Sequence, residues 1–186
     1  MRDIQTNVVW KHLETSKKRI IIEQGGSRSG KTYNILMWIV FGYCLRNKNK
    51  IISICRKTFP ALRTSALRDF LEILKNHELY KEEDHNKTSS EYKLNGNLIE
   101  FISLDSPTKV RGRKRDLLFI NEANELYWED WNQLIFRTIG RVILDYNPSD
   151  EFHWIYDKVK TRDCLLYTSD AADDLLCVDL GGRRII

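Results

Sequence analysis

GGSRSGKT, residues 25–32, follows the β-branched run RIIIE at 19–23 and precedes a long stretch of apolar periodicity. It fits G-x-x-x-x-G-K-[ST], with Gly25, Gly30, Lys31 and Thr32 in the fixed places. Strand before and helix after is the context the motif needs. Glycines let the backbone curl so that the N–H groups of Gly25, Gly26, Ser27, Arg28, Ser29 and Gly30 point inward around phosphate oxygens. The following helix N-terminus adds partial positive charge. Lys31 is expected to reach the β- and γ-phosphates of ATP, and the Thr32 hydroxyl to take a Mg²⁺ position. Arg28 has two readings: a guanidinium that offsets charge at the γ-phosphate, or a solvated loop arginine.

A nucleotide site of this kind needs an acid at the tip of a second buried strand. LLFINEANE, residues 117–125, supplies an apolar run ending in Asn121-Glu122. Glu122 is the expected general base, set to polarise a water in line with the γ-phosphate. Asn121 stands where an Asp is usual. An amide can still accept a hydrogen bond from a Mg²⁺-bound water, but it brings no charge. Two readings of Asn121 stay open: a tolerated amide, or a site that binds nucleotide and barely turns over. Glu125 is expected to cap the following helix.

A third strand ends in ILDYNPSDEFHWIYDKV, residues 143–159. Asn147 at its tip reads either as a sensor of the γ-phosphate or as a turn-forming Asn-Pro. The basic run RGRKR, residues 111–115, offers Arg111, Arg113, Lys114 and Arg115 as DNA-phosphate contacts, or as a solvated loop. Arg56, Lys57 and Arg63 form a second basic stretch. His77 and His85 sit on polar sequence without paired ligands and read as surface. Trp128 and Trp131, three apart, read as helix packing.

Periodicity predicts helices over 6–16, 31–47, 61–77, 128–138 and 149–160, with strands over 19–23, 50–55, 117–120 and 141–145. Residues 78–90 read as a polar loop, and 91–102 as a hairpin turning at Asn95-Gly96. Strands alternating with helices predict an α/β fold: a mostly parallel sheet with helices on both faces. In a P-loop NTPase this arrangement, with its glutamate base, is the additional-strand catalytic-glutamate (ASCE) type.

The chain has 186 residues, 42% hydrophobic and 30% charged, which is ordinary for a soluble globular protein. No apolar run approaches the ~20 residues of a membrane span, and the N-terminus shows no secretory core, so no membrane partner and a cytoplasmic location are expected. The last segment, CLLYTSDAADDLLCVDLGGRRII at 164–186, has no helical or strand period. It resembles the translation of a transposase-type sequencing adapter followed by flow-cell sequence. Residues 1–163 are therefore expected to be the domain, and 164–186 an adapter-derived artefact that cut the gene off. Without the tail's Asp170, Asp173, Asp174, Asp179, Arg183 and Arg184, the net charge rises from +4 to +6. Cys44 and Cys55 remain and read as core thiols.

EQGGSRSGKTYNI, CRKTFPALRTSALRDF, KVRGRKRDLLFINEANEL with EDW after it, and LDYNPSDEFHW together resemble the N-terminal ATPase domain of phage terminase large subunits, nearest the PBSX-like group. The resemblance spans roughly residues 20–160. It implies a motor that couples Mg²⁺-ATP hydrolysis to translocation of double-stranded viral DNA into a procapsid. It implies a homo-oligomeric ring, portal protein and small terminase subunit as partners, and the cytoplasm of the infected or lysogenic bacterial host as the location. It also implies a C-terminal nuclease, expected to be missing here by truncation. The family's acid pair is Asn-Glu in this chain. Two alternatives remain: another P-loop DNA translocase or helicase, and a nucleotide-binding assembly module with little turnover.

Overall fold

A computed structural model describes residues 7–26, 29–105, 114–148, 154–159, 164–169 and 176–179. Its strands are β1 (Ile20–Gly25), β2 (Ile51–Arg56), β3 (His85–Asn86), β4 (Glu91–Leu94), β5 (Asn97–Ser103), β6 (Arg115–Ile120), β7 (Thr138–Tyr146), β8 (Cys164–Ser169) and β9 (Leu176–Asp179). They form one sheet in the order β3-β4-β5-β2-β6-β7-β1-β8-β9. The run from β5 to β8 is parallel throughout, and β3, β4 and β9 add antiparallel edges. The Ile-rich runs of β1 and β2 and the apolar Leu-Leu-Phe-Ile run of β6 suit strands buried on both faces, which parallel crossovers require.

Both faces are covered. On one, Ile21, Phe119 and Ile143 pack against Ile35 and Leu36 of α2 (Lys31–Met37) and Phe70 and Leu74 of the helix beyond β2. That helix runs from α3 (Phe59–Leu62) through wide π-type turns (Arg63–Leu67) into α4 (Arg68–Asn76). Similar wide turns carry α2 on through Trp38–Cys44. α1 (Val8–Thr15) joins this face, its first turn capped by Asn7 Oδ1, which accepts from Val9 N–H at 2.9 Å. On the other face Ile22, Leu118, Ile120, Val142 and Leu144 meet Trp131 and Leu134 of α5 (Trp128–Ile135) and the helical turn Ile155–Val159. Trp131 and Trp154 rings lie 5.5 Å apart, so the α5 tryptophans pack, as expected.

Most boundaries fall within two or three residues of expectation. Asn95 and Gly96 both adopt positive φ, 53° and 79°, the mirror turn that Asn-Gly favours in hairpins. Four differences matter. β7 starts at Thr138, where a helix was expected to end. β6 begins at Arg115, inside the expected basic loop. β3 rises from the polar loop to edge the sheet. Residues 164–169 and 176–179 form strands, the first lying parallel to β1. The adapter reading rests on coding sequence, a property that strand pairing does not address. Cys44 and Cys55 are buried free thiols, each pushed up to about 12 by burial. Among the described residues no helix is long and apolar enough to cross a membrane.

Candidate functional site: the tips of β1, β6 and β7

In a parallel sheet, ligands gather outside the carboxyl ends of the strands. Here β7 lies between β1 and β6, so three tips converge. The pairing sets Glu23 beside Asp145 and Ile120 beside Leu144. Alternation then sends Glu23, Asn121 and Asp145 to the face of Ile21, Phe119 and Ile143, the face that α2 covers. The phosphate loop leads from β1 into α2. Gly30 sits at φ 73° where α2 begins, a left-handed position that favours glycine.

Lys31 folds back over this loop. Its Nζ donates to the Gly25 carbonyl (2.8 Å), the Gly26 carbonyl (2.9 Å), Ser29 Oγ (3.0 Å) and Asn147 Oδ1 (3.0 Å). Burial lowers its pKa, while Asp145, Glu122 and Glu23 pull the other way. Asn147 thus meets the phosphate-loop lysine from the tip of β7. Ser27 and Arg28 lie outside the described residues.

The centre of the cluster is Asp145, which sequence reasoning missed. It is 1% exposed. Thr32 Oγ donates to its Oδ2. Asn121 Nδ2 donates to Oδ1 (3.0 Å) and Oδ2 (3.3 Å), and also to Thr32 Oγ (3.2 Å). The Glu122 backbone N–H donates to Oδ1 at 2.8 Å. Burial raises the Asp145 pKa, and these donors and Lys31 offset it. The signal was present: IIIEQG and VILDYN each hide one acid in an apolar run, and β1–β7 pairing makes those acids neighbours.

Asn121 sits between Ser65 and the Thr32–Asp145 pair. Its oxygen, expected to face a metal-bound water, accepts from Ser65 Oγ at 3.1 Å, and its NH₂ faces the Thr32–Asp145 pair. Glu122 follows in a left-handed conformation, φ 53° and ψ 58°. Its carboxyl is half-buried and raised above the ordinary glutamate range, first by burial and then by Asp145, with Arg56 opposing. A raised pKa brings a general base nearer the operating pH.

A second buried acid lies behind the loop. Glu23 is fully buried, and His12 Nδ1 lies 3.3 Å from Oε1. Burial pushes Glu23 well up and pulls His12 down to about 4. Both shifts have one cause, the loss of water around a charged group. That contact joins α1 to the strand feeding the phosphate loop.

The basic residues sort differently from expectation. Arg115 is fully buried at the start of β6, its N–H bonded to the Arg137 carbonyl at 2.8 Å. It is a core residue and is withdrawn as a DNA contact. Lys114 is exposed. Arg111 and Arg113 lie outside the described residues. Glu125 does not cap α5; Asp130 does, accepting from Tyr127 N–H at 3.0 Å. Glu125 instead takes a two-pronged pair from Arg56, at 3.1 and 2.7 Å. Arg56 also donates to Ser65 Oγ at 3.0 Å. Lys57 pairs with Asp130 at 2.7 Å. His85 contacts the Tyr80 hydroxyl at 3.0 Å, and His77 packs on the Phe41 ring at 4.8 Å.

The residues fit Mg²⁺ carried by a nucleotide. A hydroxyl and a carboxylate already in contact at the phosphate loop are hard oxygen donors. Among the described residues no group of three His, Cys, Asp or Glu could hold a metal ion.

The family model for the phage terminase large subunit matches residues 17–178. The match runs past Asp163 into the segment read as adapter. No curated protein matches the chain. The large terminase of a thermophilic bacteriophage superposes with a TM-score of 0.75 at 20% identity, over 89% of this chain and 46% of that one. The same terminase in complex with ATP-gamma-S gives 0.68 at 19% identity, over 86% and 42%. The HK97 bacteriophage large terminase gives 0.71 at 12% identity, over 94% and 41%. The chain spans less than half the length of these terminases.

Proposed function

The chain belongs to the phage terminase large-subunit family, and from that premise we propose that it is the ATP-hydrolysing motor domain of a viral DNA-packaging machine. One observation carries this reading: Lys31, Thr32, Glu122 and Asn147 gather at the adjoining tips of β1, β6 and β7, where a triphosphate would lie. The complex of the thermophilic phage's terminase with ATP-gamma-S supports ATP as the substrate.

Phosphoryl transfer to water is mostly positioning and charge stabilisation. Loop N–H groups and the α2 N-terminus hold the phosphates. Lys31 exchanges its loop acceptors for the β- and γ-phosphate oxygens. Mg²⁺, when bound with ATP, neutralises charge on those oxygens, and Thr32 is the loop residue that would hold it. Glu122 orients and polarises the attacking water, its aim fixed by its backbone bond to Asp145. Asn147, touching Lys31, reports whether the γ-phosphate is present.

Translocation of double-stranded DNA into a procapsid, a homo-oligomeric ring, portal protein and small terminase subunit, and residence in the bacterial host cytoplasm all follow from the family and are proposed with it. So are DNA contacts by Arg111, Arg113 and Lys114, a phosphate contact by Arg28, and a nuclease elsewhere in the full-length protein. Residues 164–186 are proposed to be adapter sequence; resequencing the source gene beyond the codon for Asp163 should return a different continuation.

The test is Mg²⁺-dependent ATP turnover, with Glu122→Gln beside it. The variant should bind ATP and lose about 10²–10⁴ in rate, the usual worth of a general base. Binding with no turnover by the unaltered chain would favour an assembly module instead.

A further inference from the structure

We propose that Asp145, on the strand between the phosphate loop and Glu122, is the carboxylate that holds the nucleotide's Mg²⁺, and that Asn121 is an amide because it must donate to that carboxylate. The inference rests on the ATP-hydrolysing reading and assigns the metal's protein ligands within it.

Three observations converge. The first is topological. In this sheet β7, not β6, adjoins β1. An acid at the β7 tip is therefore one strand closer to Thr32 than position 121 is. The second is contact. P-loop NTPases hold Mg²⁺ between the loop hydroxyl and a strand-tip acid. Here Thr32 Oγ bonds Asp145 Oδ2 directly. Asn121 reaches the same hydroxyl only through its NH₂, at 3.2 Å, and a donor cannot face a cation.

The third is complementarity. Asp145 is 1% exposed and Asn121 2% exposed. Asn121 Nδ2 lies 3.0 Å from Asp145 Oδ1, so an Asp at 121 would set two acids against each other with no proton between them. Like charges this close cannot both ionise. An amide solves the problem from both ends. It donates to Asp145 and Thr32, and it accepts from Ser65. The Asn-Glu ending of β6 is then no lost acid. The acid has moved one strand over, and the amide holds it in place.

The experiment uses the full chain and a readout independent of turnover. Mn²⁺ binding is followed by electron paramagnetic resonance in the presence of ADP, and ADP binding by calorimetry in EDTA. The unaltered chain should take up Mn²⁺ with ADP. Asp145→Asn should weaken Mn²⁺ at least about tenfold, the scale seen when a supporting ligand is lost. It should keep ADP binding in EDTA. The exchange Asn121→Asp with Asp145→Asn should restore folding, because one acid and one amide again face each other, but should leave Mn²⁺ weakened at least about tenfold, because the acid then stands one strand farther from Thr32.

Where Asp145→Asn alone fails to fold, the exchange decides, since it restores donor to acceptor. Unchanged Mn²⁺ affinity in Asp145→Asn overturns the proposal. So does an exchanged protein that takes up Mn²⁺ with ADP as tightly as the unaltered chain. Absence of ADP binding by the unaltered chain, with metal or in EDTA, overturns the ATP reading itself and this inference with it.

Discussion

The Lys31 ammonium and the Asn147 amide oxygen lie 3.0 Å apart, joining the phosphate loop to the tip of β7. The contact makes Asn147 a competitor for the lysine that ATP needs. Asn147→Ala is expected to tighten ATP binding a few-fold by removing that competitor. Turnover should fall about tenfold, the worth of one hydrogen bond to a charged group in the transition state. Calorimetric ATP titration beside a steady-state assay separates the two effects. Tighter binding with an undiminished rate would leave Asn147 as a turn residue.

Asn121→Asp is expected to destabilise the metal-free protein. It replaces the donor to Asp145 with a second acid inside a buried site, at a cost of about 1–3 kcal/mol. Urea melts in EDTA measure it. A gain in stability would mean that position 121 prefers the acid.

Gly140→Ala is expected to cost more than about 2 kcal/mol, as overpacking against rigid backbone does. A Cβ at position 140 would lie 2.1 Å from the Asp116 carbonyl oxygen, beside the register shift between Arg115 and Leu117. Chemical denaturation reads the loss. The substitution is far from the strand tips, so ATP affinity of the folded fraction should not change.

His12 gives a pH dependence of definite sign. Its folded pKa is lowered by burial to about 4 from 6.5. Between those values the unfolded chain binds more protons, so stability falls as pH drops from about 6.5 towards 4. Glu23 acts oppositely. Its raised pKa adds stability at low pH that is lost as pH rises through the folded value. His12→Asn removes the first contribution. The unaltered chain should lose about 1–2 kcal/mol more than this variant between pH 6.5 and 4.5, measured by urea melts at each pH.

The phosphate loop and the three strand tips were legible because each is local: a glycine spacing, an apolar run, an abrupt polar end. The hairpin was legible for the same reason, since Asn95 and Gly96 carry the positive φ values of its turn. What could not be read is adjacency. Asp145 looks like a strand charge before an Asn-Pro turn until β7 is placed between β1 and β6. Arg115 looks like part of a basic loop, because sequence shows its neighbours and not its burial. Glu125 looks like a cap, because nothing local reveals Arg56 across the strand tips. Each miss is a side chain whose surroundings are set by another element of the fold.

The loop's hold on Lys31 bears on how product leaves. A buried ammonium stranded without acceptors would make departure of a phosphate chain costly. Here two carbonyls, a hydroxyl and an amide oxygen stand ready to receive it. The protein carries its own substitute for the ligand, so emptying the site exchanges one set of oxygens for another. In the proposed ATP-hydrolysing cycle, that exchange lowers the barrier to resetting the site.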